Sequence, residues 1–448
     1  MAVTRSYDSG MDELFDLPPT EAGASEPEGR ARPRLQRPQR DQITLRPSDL
    51  ESLLPADHRA RLVWAFVEGL DLAPLYERIR AVEGHSGRPP IDPAILVSLW
   101  LYATLEGVGS ARALDRLCDE HDAYRWLCGG VGVNHHTLAD FRVEHADVLD
   151  RLLTESVAAL LADGLVTLAT VAQDGMRVRA GAGAASYRRR STLERFLDEA
   201  EAQVDALRAE LDDDPAATSR RIAAARERAA SERAERVRRA LEHLPELEAA
   251  KRRSGKPADE ARASTTDPEA RVMKMADGGY RPAYNVQFAA DTTSQVIAGL
   301  DVATAGTDQG QLGPMVRQLR RRYGRDPDAL LADAGFLKTA EIDELSCGTT
   351  LHLPVRKPED PARDPHQPLP DDSPAVAAWR VRMGTAEARE LYKDRAATAE
   401  CVNAIARNRG LQRFGVRGPD KARAIALWFA LAHNLMRTVV LRAVPAAR

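Results

Sequence analysis

The stretch that most limits what this chain can fold into is residues 391–418, LYKDRAATAECVNAIARNRGLQRFGVRG. It begins as a helix-compatible run, yet it is poor in apolar residues. At 100° per residue, Tyr392, Arg395, Glu400 and Arg407 fall within one arc of the helix surface. One carboxylate is thus flanked by two guanidinium groups and a phenol. Taken alone, the pattern also describes a solvated helix face with ordinary ion pairs. The setting adds a second reading. Residues 391–448 carry eleven Lys/Arg against three Asp/Glu, in a chain whose net charge is −4. A carboxylate within a basic surface suits a divalent metal held beside a polyanion.

The chain around this stretch has 448 residues, enough for two or three domains and a sizeable core. Charged residues make up 29% and aromatics 5%. No apolar run comes near the ~18 residues of a membrane span. The N-terminal MAVTRSYDSGMDELFD lacks the basic-then-apolar order of a secretory signal. Cys118, Cys128, Cys347 and Cys401 are scattered without CxxC pairing, which points to a reducing cytoplasm, and with no long apolar run no membrane is expected as a partner. The negative net charge hides strong local asymmetry, so nucleic acid stays open as a partner.

Residues 1–43 have no hydrophobic period and read as a disordered tail. Its basic end, RARPRLQRPQR, suits either DNA backbone contact or simple solubilisation. Residues 44–161 are helical in pattern. Ser48 precedes the first turn, GRPPIDPAILVSLWLYATLEGV predicts an amphipathic helix, and Thr137 is a candidate cap further on. His135 and His136 with Cys118 and Cys128 match no zinc spacing.

At Leu165 the period changes. LVTLATVAQD predicts a buried strand ending at Asp174, followed by Gly175. An acid at a strand's C-terminal edge is a frequent address for chemistry, although Asp-Gly is equally a common turn pair. The following MRVRAGAGAASYRRR sets five arginines, Arg177 and Arg179 first, on a frame of small residues that permits close approach to phosphates. Residues 191–262 interrupt the β pattern with a charged helical hairpin, a short antiparallel coiled coil broken at DDDP. Strands at YNVQFAAD and QVIAGLDVA form a hairpin, then TDQGQLGPMVRQLRRRYG is a helix. DALLADAGF is a short strand carrying Asp333, followed by a helix and a strand at LHLPVRK. The order is compatible with an α/β RNase H-like core that holds an inserted helical hairpin and follows an all-helical N-terminal domain.

Two-metal phosphoryl transfer needs acids that bridge ions roughly 4 Å apart. Asp174, Asp333 and Glu400 can supply them, and carboxylate oxygens suit Mg²⁺. Asp267, Asp291, Asp301 and Asp308 compete for these roles. They rank lower because Asp267 precedes Pro in a loop and the others border the hairpin or cap a helix. His433 in LAHNL lies on an apolar helix and reads as a core histidine.

The spacing Tyr392-x2-Arg395-x4-Glu400-x6-Arg407, then RGLQRFGVRG and LAHNL, resembles the C-terminal signature of DDE-type insertion-sequence transposases. GRPPIDP, EGVGSAR, HHTLADFR, AQDGMRVRA, TTDPEAR, YNVQ, TDQ and LADAGF follow in family order, covering about residues 44–438. The resemblance implies that residues 44–161 bind element ends and that 162–440 form the catalytic domain, interrupted by 191–262. It implies Asp174, Asp333 and Glu400 as catalytic metal ligands for two Mg²⁺ or Mn²⁺ ions. It further implies Tyr392, Arg395 and Arg407 as contacts to DNA backbone, joined by Arg177 and Arg179. The partners would be double-stranded DNA and a second copy of the chain, and the location cytoplasmic and nucleoid-associated. Where the family usually carries Lys two helical turns after the Glu, this chain has Arg407, a planar fork in place of a point charge. Cys401 and Ala404 also depart from the usual pattern. The alternatives are a transposase-derived DNA-binding protein that no longer cuts, and a regulatory coiled-coil protein built on 191–262.

Overall fold

The computed structural model describes residues 49–81, 89–213, 217–358, 360 and 362–443. The expected tail, the candidate start at Ser48 and part of the DDDP break lie outside them.

Helices come first: α1 (Arg59–Glu68), α2 (Ala73–Tyr76), α3 (Pro93–Leu105), α4 (Ala111–Glu120), α5 (Asp122–Cys128), α6 (His135–Glu144) and α7 (Ala146–Ala162). Their starts follow capping chemistry. Asp92 accepts from the Ala94 N–H ahead of α3, with Pro93 in the first turn, and Ser110 accepts from Ala113 ahead of α4. The cap of α6 is Asn134, whose side chain accepts from the Thr137 N–H, so Thr137 lies inside the helix rather than capping it. Helix α3 is not amphipathic. Every residue from Ile95 to Ala103 is buried, because the other helices and the C-terminal helix enclose it on all sides.

The sheet region follows as β1 (Thr170–Arg179), β2 (Tyr187–Arg188), α8 (Arg190–Asp213), α9 (Ala217–Arg253), β3 (Ala263–Ser264), β4 (Arg271–Lys274), β5 (Tyr280–Asp291) and β6 (Ile297–Ala303). Then come α10 (Leu312–Tyr323), β7 (Ala329–Leu331), α11 (Thr339–Leu345), β8 (Thr350–His352), α12 (Pro374–Met383), α13 (Ala386–Arg395), α14 (Cys401–Asn408) and α15 (Pro419–Ala443). The main sheet runs β4-β5-β1-β7-β8, with β6 also on β5. Strands β4, β5, β6 and β1 pair antiparallel, while β1, β7 and β8 pair parallel. This mixed α/β sheet after a helical region is consistent with the RNase H-like core expected from sequence.

The insertion is a hairpin of α8 and α9 with its own small core of Leu193, Val237, Ala240 and Leu244 near its base. Strands β2 and β3 clasp that base, pairing Tyr187 with Ser264 and Arg188 with Ala263. The TTDPEAR segment locks the clasp to the rest. Buried Asp267 accepts from the Tyr284 hydroxyl at 2.5 Å and the Gly418 N–H at 3.1 Å, and buried Glu269 pairs with Arg239 of α9.

Helix α15 joins the two regions. It is long and apolar enough in composition to cross a membrane, contrary to the expectation of no such run. Here, however, Ala424 to Leu435 are all buried against α3, α6, α7 and β6. The Trp428 indole donates to the Arg142 carbonyl at 2.9 Å, and the Arg142 guanidinium lies 4.4 Å from the Trp100 ring centroid. Asp150 of α7 receives Arg322 from α10 and Arg423 from α15. Asn434 clamps Ile297 on β6, accepting from its N–H and donating to its carbonyl, both at 2.8 Å. His433 is buried and its Nε2–H donates to the Gln295 carbonyl at 2.9 Å, the arrangement of a satisfied core histidine.

Candidate active site and nucleic-acid interface

Asp174 does not end a strand. Strand β1 starts five residues later than expected and continues through Gly175 to Arg179, because long β5 pairs with it along Val171–Arg179. What ends near Asp174 is the parallel ladder, whose last pair is Ala172 with Leu331. Asp174 and Asp333 each stand two residues beyond that pair, Asp174 within β1 and Asp333 just past the end of β7. Asp333 follows a strand of three residues, not the longer one expected. Its Oδ1 accepts from the Gly335 N–H at 2.7 Å, which turns the chain into a short 3-10 turn. Burial, reinforced by the Asp333 carboxylate, pushes Asp174 up to about 6.

Around this pair the signature helix is not a continuous α-helix. Between α13 and α14, Ala396–Glu400 form a π turn, which shifts the phase of everything after it. Ala399 packs on Ala172 and Leu331, at the end of the parallel ladder. Glu400, the next residue, points outward, with 61% of its side chain exposed, and Arg395 binds it at 2.9 Å. The residue that touches Asp174 is Asn403, whose Nδ2 donates to Asp174 Oδ2 at 2.8 Å. Asn403 is 3% exposed, and its Oδ1 has no partner among the described residues.

Tyr392 and Arg395 do reach the acids. The Tyr392 hydroxyl donates to the Ala332 carbonyl, next to Asp333, at 3.2 Å. Burial raises the phenol, and Arg395 opposes the rise. The Arg395 guanidinium lies 5.8 Å from the Tyr392 ring, only 15% exposed, and its charge favours ionised Asp174.

The other face of β1 carries a buried polar network built on Asp308, which the sequence ranked low as a metal ligand, and Arg177, which it expected at DNA. Asp308 accepts from Asn285 at 2.7 Å, from Gln287 at 2.9 Å and from Arg177 at 2.8 Å. It precedes α10, which starts at Leu312 rather than at Thr307, because Thr307–Gln311 is spent as the loop that delivers this carboxylate. Gly175 makes room: a Cβ there would lie 2.1 Å from Asp308 Oδ1. The signal was present in YNVQ, where two amides share one face of an otherwise apolar strand and must find partners. Among the other competing acids, Asp291 accepts from the Leu168 and Ser294 N–H groups as a turn cap.

Past the network opens a cleft of about 790 Å³ lined by Arg177, Arg179, Lys274, Arg281 and Arg407, with Asp277 as its acid. Three of the expected DNA contacts, Arg177, Arg179 and Arg407, are therefore neighbours, and Gly175, next in sequence to Asp174, lines the same cleft. Segment 411–414 is fixed beside it: the Arg179 N–H donates to the Gln412 carbonyl, and the Phe414 N–H donates to the Arg179 carbonyl.

The donor set of Asp174, Asp333 and the open Asn403 Oδ1 is all oxygen, which fits a hard divalent cation. Glu400 does not join it. Among the described residues no group of three or more His, Cys, Asp or Glu side chains is arranged to hold a metal ion.

A carboxylate pair and a nearby cleft lined with cations together suit chemistry on a phosphodiester polyanion. The comparisons agree: residues 48–144 match the family model Transposase domain (DUF772), and residues 369–439 match Transposase DDE domain. These two matches support an insertion-sequence transposase of the DDE type and indicate a function in transposition. No curated protein and no solved structure matches it.

Proposed function

We propose that this transposase binds the ends of a mobile element, cleaves phosphodiester bonds there and joins the freed 3′ ends to target DNA. The observation that carries the reading is the placement of Asp174 and Asp333, each two residues beyond the parallel ladder, near a cleft lined by Arg177, Arg179 and Arg407. Asp174, Asp333 and Glu400 are the catalytic acids, and Tyr392, Arg395 and the cleft arginines hold the DNA backbone. Two Mg²⁺ ions, or Mn²⁺, would be held by the acids. When bound, they lower the pKa of the attacking water or 3′-hydroxyl and stabilise the leaving oxygen.

The chain's own residues do the remainder. Asn403 holds one oxygen of Asp174 and the Gly175 N–H holds the other, so the two together fix the orientation of the carboxylate. Tyr392 anchors the turn that presents Asp333. Arg395 binds Glu400, and a DNA phosphate is the competing anion for that guanidinium. Arrival of DNA would free Glu400 to swing toward the pair, so that the acid cluster is completed on substrate. Synapsis of two ends calls for a dimer on DNA, and the setting is the nucleoid of a reducing cytoplasm.

The outward Glu400 also supports a second reading, a transposase-derived protein that binds ends without cutting. Labelled duplex carrying the element's ends, incubated with Mg²⁺ or Mn²⁺ and either wild type or Glu400→Ala, separates the two. Metal-dependent nicking that disappears in the variant supports the transposase reading. Binding without nicking by either protein supports the second.

A further inference from the structure

The helical insertion has a structural attachment but no assigned task, and its neck forms one wall of a second basic cleft. This cleft, of about 1160 Å³, lies between the ends of the hairpin and the β4 edge of the sheet. Its cations are Arg189, Lys251, Arg253, Lys256, Arg262 and Arg271, against two acids, Glu246 and Glu260. Gly306 lines both this cleft and the one beside the acid pair, so the two meet. Lys251 and Arg271 are held 3.9 Å from Glu260 and Glu246. Arg189, Arg253, Lys256 and Arg262 are exposed, and no ion pair engages them among the described residues.

A simpler account exists for part of this charge. Lys251, Arg252 and Arg253 form the last turn of α9, where cations offset the helix dipole. That account does not reach Arg189, Lys256 or Arg262, which lie outside the helices. Six cations along a trough that meets the cleft of Arg177, Arg179 and Arg407, in a chain of net charge −4, are matched by an extended polyanion.

We propose that the neck of the insertion is a DNA-binding surface that carries the duplex onward from the active-site cleft, past Gly306 and along β4. The proposal rests on the DNA-cutting reading above and adds a path for the flanking DNA. Tyr280, 70% exposed at the start of β5, lines the same trough and offers a flat apolar face toward the duplex.

The test uses the full chain and a variant with Arg189, Arg253, Lys256 and Arg262 all changed to Ala. Affinity for duplexes of increasing length is measured over a salt series, with thermal melting as the folding control. Wild type should bind longer duplexes more tightly. The variant should bind a short duplex as wild type does, lose the gain with length, and show a salt slope shallower by about 3.6, at ~0.9 per released phosphate contact. A charge-conserving Arg189→Lys, Arg253→Lys, Arg262→Lys variant should retain the wild-type slope. Equal slopes and equal length dependence in wild type and the alanine variant overturn the proposal and leave the DNA-cutting reading standing. Failure of wild type to bind any duplex overturns both.

Discussion

Asn403 Nδ2 stands 2.8 Å from Asp174 Oδ2, so the signature helix touches the strand acid through an amide and not through Glu400. The other oxygen, Oδ1, accepts from the Gly175 N–H at 2.9 Å, so the carboxylate is held at both oxygens and its remaining lone pairs are set for a cation. Asn403→Ala should therefore weaken Mg²⁺ binding by about 10- to 100-fold, the usual cost of losing such a partner. Cleavage should fall most at limiting Mg²⁺ and recover in part at saturation. A calorimetric Mg²⁺ titration of the variant that overlays wild type would count against this role.

The acid pair sets a pH dependence of definite sign. Asp174 is raised from 3.8 to about 6, so the folded state holds its proton more tightly than the unfolded chain does. Its contribution to stability is therefore present at low pH and is lost as pH climbs through 4 to 6, by roughly 3 kcal/mol. A divalent cation binds the ionised form and should offset that cost. Mg²⁺ should raise the melting temperature at pH 8 and leave it unchanged at pH 5. Asp174→Asn should be more stable than wild type at pH 8 without metal, and indifferent to Mg²⁺.

Two buried histidines act in the opposite sense. Burial lowers both His433 and His352 to about 4. Each favours folding above the ordinary histidine value near 6.5, and that stability is lost as pH falls toward 4. In wild type this loss partly cancels the gain from Asp174. In Asp174→Asn the acid side should be steeper, and melting from pH 7 down to pH 4 measures it directly.

Gly175 is required for space. Its missing Cβ would sit 2.1 Å from Asp308 Oδ1, 2.5 Å from Gln287 Nε2 and 2.7 Å from Asn285 Oδ1. Gly175→Ala should displace the network that holds Arg177 and cost about 2–4 kcal/mol in urea unfolding. DNA affinity should fall with it, since Arg177 loses its fixed position.

Asn434→Leu removes both hydrogen bonds to Ile297 and strands a buried N–H and carbonyl on β6. At roughly 1–3 kcal/mol for each group, the variant should lose about 2–6 kcal/mol. Hydrogen exchange at the Ile297 amide should accelerate, whereas exchange in the α8–α9 hairpin should not change, because that hairpin has its own core.

Much of the chain was legible in its residues. Periodicity marks the N-terminal helices, the charged insertion and the β5–β6 hairpin, and the strand-associated acids Asp174 and Asp333 stand out against apolar neighbours. Short β2, β3 and β4 were not legible, since strands of two to four residues have too few positions to show an alternation. Helix α3 looked two-faced only because sequence cannot count how many elements surround a helix. The Asp308 network escaped because its members lie at 177, 285, 287 and 308, joined only by sheet register and one loop.

The sequence by itself determined which groups are available: two acids at expected strand ends, one acid in a basic helix, and arginines on a frame of small residues. Only the tertiary structure decided which of them face one another. Helical phase computed at a constant 100° carries Glu400 to the same arc as Tyr392 and Arg395. The π turn at Ala396–Glu400 breaks that constancy, because Ala399 must pack on Ala172 and Leu331. A local code fixes residue order and period, whereas a single extra residue in one turn is settled by what the turn packs against. That packing turned Glu400 outward onto Arg395 and set Asn403 against Asp174.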